Sequence, residues 1–301
     1  MKLTVQAAAR QAGISEARLR TWERRYGVPS PARSGTGRRL YDDSDMALIR
    51  RMAGLVGSGV PAAQAADAAR EARGGTAEAP AALPLHPAAG KLANAAGSFD
   101  GLSAYRTLQL VIEEMGWAQA LAAVVFPAFG LVGHSWERGD VSPANEHFLS
   151  ELVRGELQVA FADLARPPAG APLLLLACPE DERHDLGLLG LRLMIGQRGG
   201  RVLYLGTDLP IDALNAAVRD VRPAGVCLAG TTPNAVPAMS RAMRALIAAK
   251  TDAVLFVGGP AIANNAGEQI PATLLPEGLD EAADVVMASL EAESFRRERR
   301  R

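Results

Sequence analysis

Apolar positions recur at helical spacing over two short stretches near the start of the chain, 5–11 and 16–26, with Gly13 between them. Thr4 and Ser15 stand where helix N-caps are needed, so the pattern predicts a tight helix–glycine–helix unit. Behind it, residues 29–41 read as two short extended segments around a glycine-containing turn, a wing. The pattern dissolves over 74–90, GGTAEAPAALPLHPAAG, which predicts a linker. Residues 91–166 return to long apolar helical periodicity with few strand signals, as expected for a helical bundle. After Pro167-Pro168 short apolar runs at 173–178, 202–205, 225–229 and 254–257 alternate with helix-like stretches. Such alternation predicts a Rossmann-like parallel sheet with crossover helices, whose ligands sit at the carboxyl ends of the strands. The expected fold is therefore multidomain: a winged helix-turn-helix over 1–73, a linker over 74–90, a helical bundle over 91–166 and a Rossmann-like α/β domain over 167–301.

Charge sharpens this division. Residues 1–73 carry 13 Lys and Arg against 7 Asp and Glu, whereas the remainder carries 19 against 26. A basic head on an acidic body suits a protein that neutralises phosphates at one end. The two cysteines, Cys178 and Cys227, lie far apart inside apolar runs and show neither metal-ligand spacing nor a disulfide framework, which points to a reducing cytoplasm. The start lacks the apolar core of a signal peptide, and no apolar run reaches bilayer-spanning length, so no membrane association is expected.

Within 16–26, Arg18, Arg20, Trp22, Arg24, Arg25 and Tyr26 place cations and aromatic tips on faces assigned to solvent. Guanidinium groups on a helix in the major groove pair with phosphates and guanine edges, and the wing adds Arg33, Arg38, Arg39 and Tyr41. The run LRTWERRYGVPSP, then GRRLYDDSDMALIRRM, resembles the MerR family, in which a two-helix reader and a basic wing ending in Arg-Leu-Tyr precede a further helix. The resemblance covers about residues 2–70 and implies a double-stranded DNA operator as partner. A Gly-Pro-containing stretch replaces the family's long dimerising helix, which moves the expected homo-oligomer contact, dimer or tetramer, to the later domains.

The first expected strand of the α/β region ends in CPEDERHDLG, which resembles the Asp-x-His-x-x-Gly signature of B12-binding domains, with Glu182 in the first position, as in light-responsive CarH-type regulators. The resemblance implies that His184 is the lower axial ligand to cobalt. A carboxylate on the other ring nitrogen would fix the tautomer, the role expected of Glu182, and Gly187 would let the loop pass close to the corrin. Family landmarks that line the buried nucleotide tail fall on 229–231 and on Gly258-Gly259. The glycines fit; the expected Ser-x-Leu is absent, leaving Thr231 or Thr232 to supply its hydroxyl. In the bundle, Trp136 followed after nine residues by Glu146-His147 resembles the Trp-x9-Glu-His motif of CarH-like sensors, which covers the upper corrin face. Light sensors of that group carry histidine directly after the tryptophan, where this chain has Glu137. A bis-histidine photoproduct is therefore not expected, and His147, water or another ligand remain as alternatives above the ring.

The function these readings imply is a repressor, not an enzyme, whose DNA binding is switched by a bound cobalamin, adenosylcobalamin or methylcobalamin, with light as the signal. Two alternatives stand beside it. One is a light-indifferent regulator acting through a partner or a second, bilin-type chromophore. The other is a corrinoid carrier subunit of a methyltransferase, which has no use for residues 1–70.

Overall fold

The computed structural model describes residues 3–12, 14, 16–33, 39–57, 65, 66, 69, 85–232, 235–263 and 270–298. The chain forms two compact units, Met1–Leu83 and Pro84–Arg301. In the first, helices α1 (Val5–Gln11) and α2 (Glu16–Tyr26) precede a two-stranded antiparallel wing, β1 (Ala32–Arg33) and β2 (Arg39–Leu40), and then α3 (Asp43–Gly57). Thr4 accepts from the amide of Ala7 at 3.4 Å, as its capping position predicts.

The second unit begins with α4 (Pro87–Gly97), α5 (Gly101–Ala120), a π-helical turn (Leu121–Val125), α6 (Phe126–Arg138) and α7 (Pro143–Ala162). Residues 87–90, assigned to the linker by composition, are the first turn of α4; His86 caps it by accepting from Ala88, and Pro87 opens it without needing a donor. The helical stretch Gly101–Trp136 is long and apolar enough by length and composition to cross a membrane, contrary to the expectation that no run is. Its residues Leu108, Val111, Leu121, Val124 and Val132 lie in the core. Between α6 and α7, Gly139 adopts a left-handed conformation (φ 82°) that ends one helix, and Pro143 opens the next.

Then come β3 (Leu173–Ala177), α8 (Leu186–Gln197), β4 (Arg201–Tyr204), α9 (Ile211–Val221), β5 (Gly225–Ala229), α10 (Ala235–Ala248), β6 (Val254–Gly258), α11 (Pro260–Ala263), β7 (Thr273–Leu274) and α12 (Leu279–Glu298). The five strands are parallel in the order β4-β3-β5-β6-β7. Side-chain alternation divides the core between the two faces. Leu174, Leu176, Cys227 and Phe256 share a cluster with α8, α12 and the bundle, while Leu175, Ala177, Val226 and Val257 pack with α9 and α10. The bundle and the sheet thus share one core. Strand order reverses between β3 and β5, so the loops leaving these two strands flank the crevice where such sheets bind ligands.

Candidate functional site

Glu182, in the loop after β3, is fully buried and spans that crevice. Its Oε1 accepts from the backbone amide of His184 at 2.9 Å and from His184 Nδ1 at 2.7 Å. Its Oε2 accepts from the amides of Thr231 and Thr232, in the loop after β5, at 2.8 and 3.0 Å, and from the Thr232 hydroxyl at 3.1 Å. Burial works to raise its pKa, but the donors from His184, Thr232 and Thr231 prevail and hold the carboxyl down at about 2. With Nδ1 engaged, the imidazole turns Nε2 away from Glu182, and the side chain is 57% exposed. The hydrogen bond to Glu182 pushes the His184 pKa up against the opposing effect of burial; the charges of Glu182, Glu146 and Asp185 add to the rise.

Thr232 departs from the sequence expectation, because its hydroxyl donates to Glu182 and so braces the histidine's carboxylate. Thr231 keeps an exposed side chain. Gly259 (φ 95°) has a reason within the fold: a Cβ there would stand 2.3 Å from the carbonyl oxygen of Gly230. Gly258 is buried in β6 and donates no side chain to the crevice. Gly187, in the first turn of α8, is different, since a Cβ there would meet no protein atom within 4 Å. The position that a side chain would take at this glycine is open.

Across the turn between α6 and α7, Trp136, Glu146 and His147 are all exposed, Trp136 by 55%. Buried Asn145 sets the start of α7: its Oδ1 accepts from the Ser142 amide at 2.8 Å, and its Nδ2 donates to the carbonyls of Ala96 and Gly97, both at 3.0 Å. Helix α7 packs against α8, and the charge of Glu146 adds to the rise in the His184 pKa. Glu137 lies in α6, its side chain outside the described residues. His134 lines a separate cavity of about 470 Å³ between α4 and α6, its Nδ1 2.7 Å from the carbonyl oxygen of Gly130. Sequence reasoning missed Asp185, 2% exposed, whose Oδ2 accepts from Arg154 Nη1 at 2.6 Å and from the Tyr204 hydroxyl. Partners 31 and 19 residues away leave no local pattern to detect.

In the first unit, Arg18, Arg20, Arg24 and Arg25 are exposed on α2. Two expected DNA contacts are core instead. Trp22 is 3% exposed and packs with Val28, Leu48 and Met52; Tyr41 is fully buried with Ala8, Leu19 and Ile49. Leu19, Trp22 and Tyr26 recur at the i, i+3, i+7 spacing of one helix face, and that face turns inward, leaving Tyr26 half-buried against the Trp22 cluster. That spacing is present in the sequence and outweighs the aromatic character of Trp22 and Tyr26. Glu23, not anticipated, accepts from the Tyr41 hydroxyl and from Arg39 Nε, the latter at 2.5 Å, and ties the reader helix to the wing. Arg38 lies outside the described residues, as does the side chain of Arg33.

Residues 3–72 match the MerR HTH family of regulatory proteins. The HTH-type transcriptional repressor CarA of Myxococcus xanthus is 33% identical over 266 residues, which span 86% of this chain and 87% of that protein. The chain belongs to the CarA/CarH repressor family. CarH of the same organism is 32% identical over 232 residues, 73% of this chain and 75% of its own length. The fold of the second unit resembles the monomethylamine corrinoid protein of Methanosarcina barkeri, with a TM-score of 0.52 and 18% identity over 66% of this chain and 96% of that one. Family membership and the winged reader agree with the basic first unit.

Proposed function

We propose that the protein is a cytoplasmic transcriptional repressor that binds cobalamin between the bundle and the sheet, and whose grip on operator DNA changes with the state of that cofactor. The observation that carries the reading is the His184–Glu182 pair at the β3/β5 switch point, with Nδ1 held at 2.7 Å and Nε2 turned outward. Imidazole is a suitable donor to cobalt, and a carboxylate on its other nitrogen orients the ring and strengthens the donor. His184 would hold the metal through Nε2, Glu182 would fix the tautomer, and Gly187, where the position of a side chain is open, would let the macrocycle approach the loop. Trp136, Glu146 and His147 would cover the opposite face. The exposed indole of Trp136 offers apolar area suited to an adenosyl group, which favours adenosylcobalamin over methylcobalamin. When bound, that cofactor supplies a cobalt–carbon bond that visible light can break.

Loss of a group packed on Trp136 changes the bundle surface, and if that surface joins protomers as a dimer or tetramer, linked reading heads lose their avidity. Both cysteines of the chain are buried, so a thioether-linked bilin is not part of this reading. Glu137, standing where light sensors carry histidine, favours a second reading in which cobalamin regulates without light. The test is to load the full chain with adenosylcobalamin in darkness and compare spectra, size-exclusion profiles and operator binding before and after illumination. His184→Ala is expected to give a base-off spectrum or to lose the cofactor while the apo fold persists. An unchanged histidine-on spectrum in that variant removes His184 from the site. A wild type that binds cobalamin and responds to its presence but not to light selects the light-indifferent regulator.

A further inference from the structure

Helix α7 carries Glu146 and His147 in its first turn and Arg154 two turns further on. Arg154 stands seven positions after His147 and so returns to the same side of the helix. Arg154 Nη1 donates to Asp185 Oδ2 at 2.6 Å, and the Tyr204 hydroxyl donates to the same oxygen. Asp185 directly follows His184 and begins α8, whose Leu189 amide donates to its carbonyl at 2.8 Å. The other carboxylate oxygen, Oδ1, is buried with no hydrogen-bond partner among the described residues, which concentrates the compensation of this charge on Oδ2. A bundle helix, the histidine loop and the end of β4 thus converge on one carboxylate. The other contacts of α7 with the α/β region are apolar, through Leu149, Val153 and Leu157, together with the Arg192 guanidinium stacked over the Phe161 ring at 3.7 Å, a contact that fixes no hydrogen-bond geometry. Apolar packing tolerates sliding; a buried ion pair with fixed geometry does not, and breaking it strands a charge.

We propose that Arg154, Asp185 and Tyr204 form a latch that fixes α7 to the His184 loop, so that the two faces of the cleft keep a common register. The inference rests on the reading of the cleft given above. Arg154 and Asp185 are positioning residues: they determine where Glu146 and His147 stand relative to His184. The pair Arg183–Asp208, at 3.9 Å and largely exposed, cannot replace it, because neither residue is on the bundle.

Amide hydrogen exchange on the full apo chain tests the latch, comparing wild type with Arg154→Met, Arg154→Lys and Tyr204→Phe. In Arg154→Met, exchange over residues 184–189 is expected to speed up by roughly tenfold or more, with residues 226–228 of β5 unchanged. Arg154→Lys should recover most of the protection, and Tyr204→Phe should fall between. On adding adenosylcobalamin in darkness, the histidine-on fraction should drop in Arg154→Met and recover in Arg154→Lys. Unchanged protection over 184–189 in Arg154→Met, an equal loss across β5, or no recovery with lysine overturns the latch. If Arg154→Met does not fold, Tyr204→Phe decides by the same comparison, since it removes one hydroxyl only. A wild type that takes up cobalamin without histidine ligation defeats the reading of the cleft, and the apo exchange still decides the latch.

Discussion

Glu182 illustrates how one side chain can serve two loops at once. It is buried, it accepts five hydrogen bonds from His184, Thr231 and Thr232, and burial alone would favour its neutral form. The donors win, so the carboxyl titrates near 2 in the folded chain against 4.5 in the unfolded one. A depressed pKa contributes stability that is complete above the unfolded value and is lost as pH falls through the folded value. The window is therefore pH 4.5 down to about 2, and the full contribution is roughly 3 kcal/mol. Glu182→Gln in the apo protein is expected to lower the urea midpoint near neutral pH, with the gap to wild type narrowing as pH drops through that window. A gap of constant size from pH 6 to pH 3 would mean that Glu182 is not held ionised by these donors. The pairing of Glu182 with His184 was readable from a two-residue spacing; its reach to Thr231 and Thr232 was not, because these lie 49 and 50 positions further along the chain and only the strand reversal brings the loops together.

Among elements, those with local punctuation were legible. Thr4, Gly139 and Pro143 mark helix ends chemically: α1 and α7 begin, and α6 ends, where these residues place them. β7 went unforeseen because its two residues, Thr273 and Leu274, are both exposed and form no apolar run. The wing offers the converse lesson, since β2 was expected but its attachment was not. Glu23 on α2 accepts from Arg39 Nε and from the buried Tyr41 hydroxyl, so wing and reader helix are held by one carboxylate. Glu23→Ala leaves a buried hydroxyl without its acceptor and should cost about 1–3 kcal/mol of stability in the first unit. DNA affinity should fall further than that of Tyr41→Phe, which keeps the Arg39 contact; gel-shift titrations of both variants at one salt concentration measure the difference. Equal affinities would show that the Arg39 contact does not orient the wing.

At the scale of the whole molecule, a basic reading unit is joined to a larger acidic unit whose bundle and sheet share one core. The chain has three tryptophans, and the structure gives each a different setting: Trp22 is 3% exposed in the first unit, Trp117 is half-buried, and Trp136 is 55% exposed. An indole in water emits at longer wavelength than one in an apolar core, and aqueous iodide reaches it first. The apo protein should therefore show a red-shifted, iodide-quenchable emission that Trp136→Phe largely abolishes. A corrin seated against Trp136 would absorb across that emission and should extinguish it by energy transfer. A Trp136→Phe variant that is quenched by iodide and by cobalamin as strongly as wild type would assign the signal to another indole. If cobalamin binds as proposed, the exposed ring of Trp136 is thus also an optical gauge of its occupancy, readable in solution without any added label.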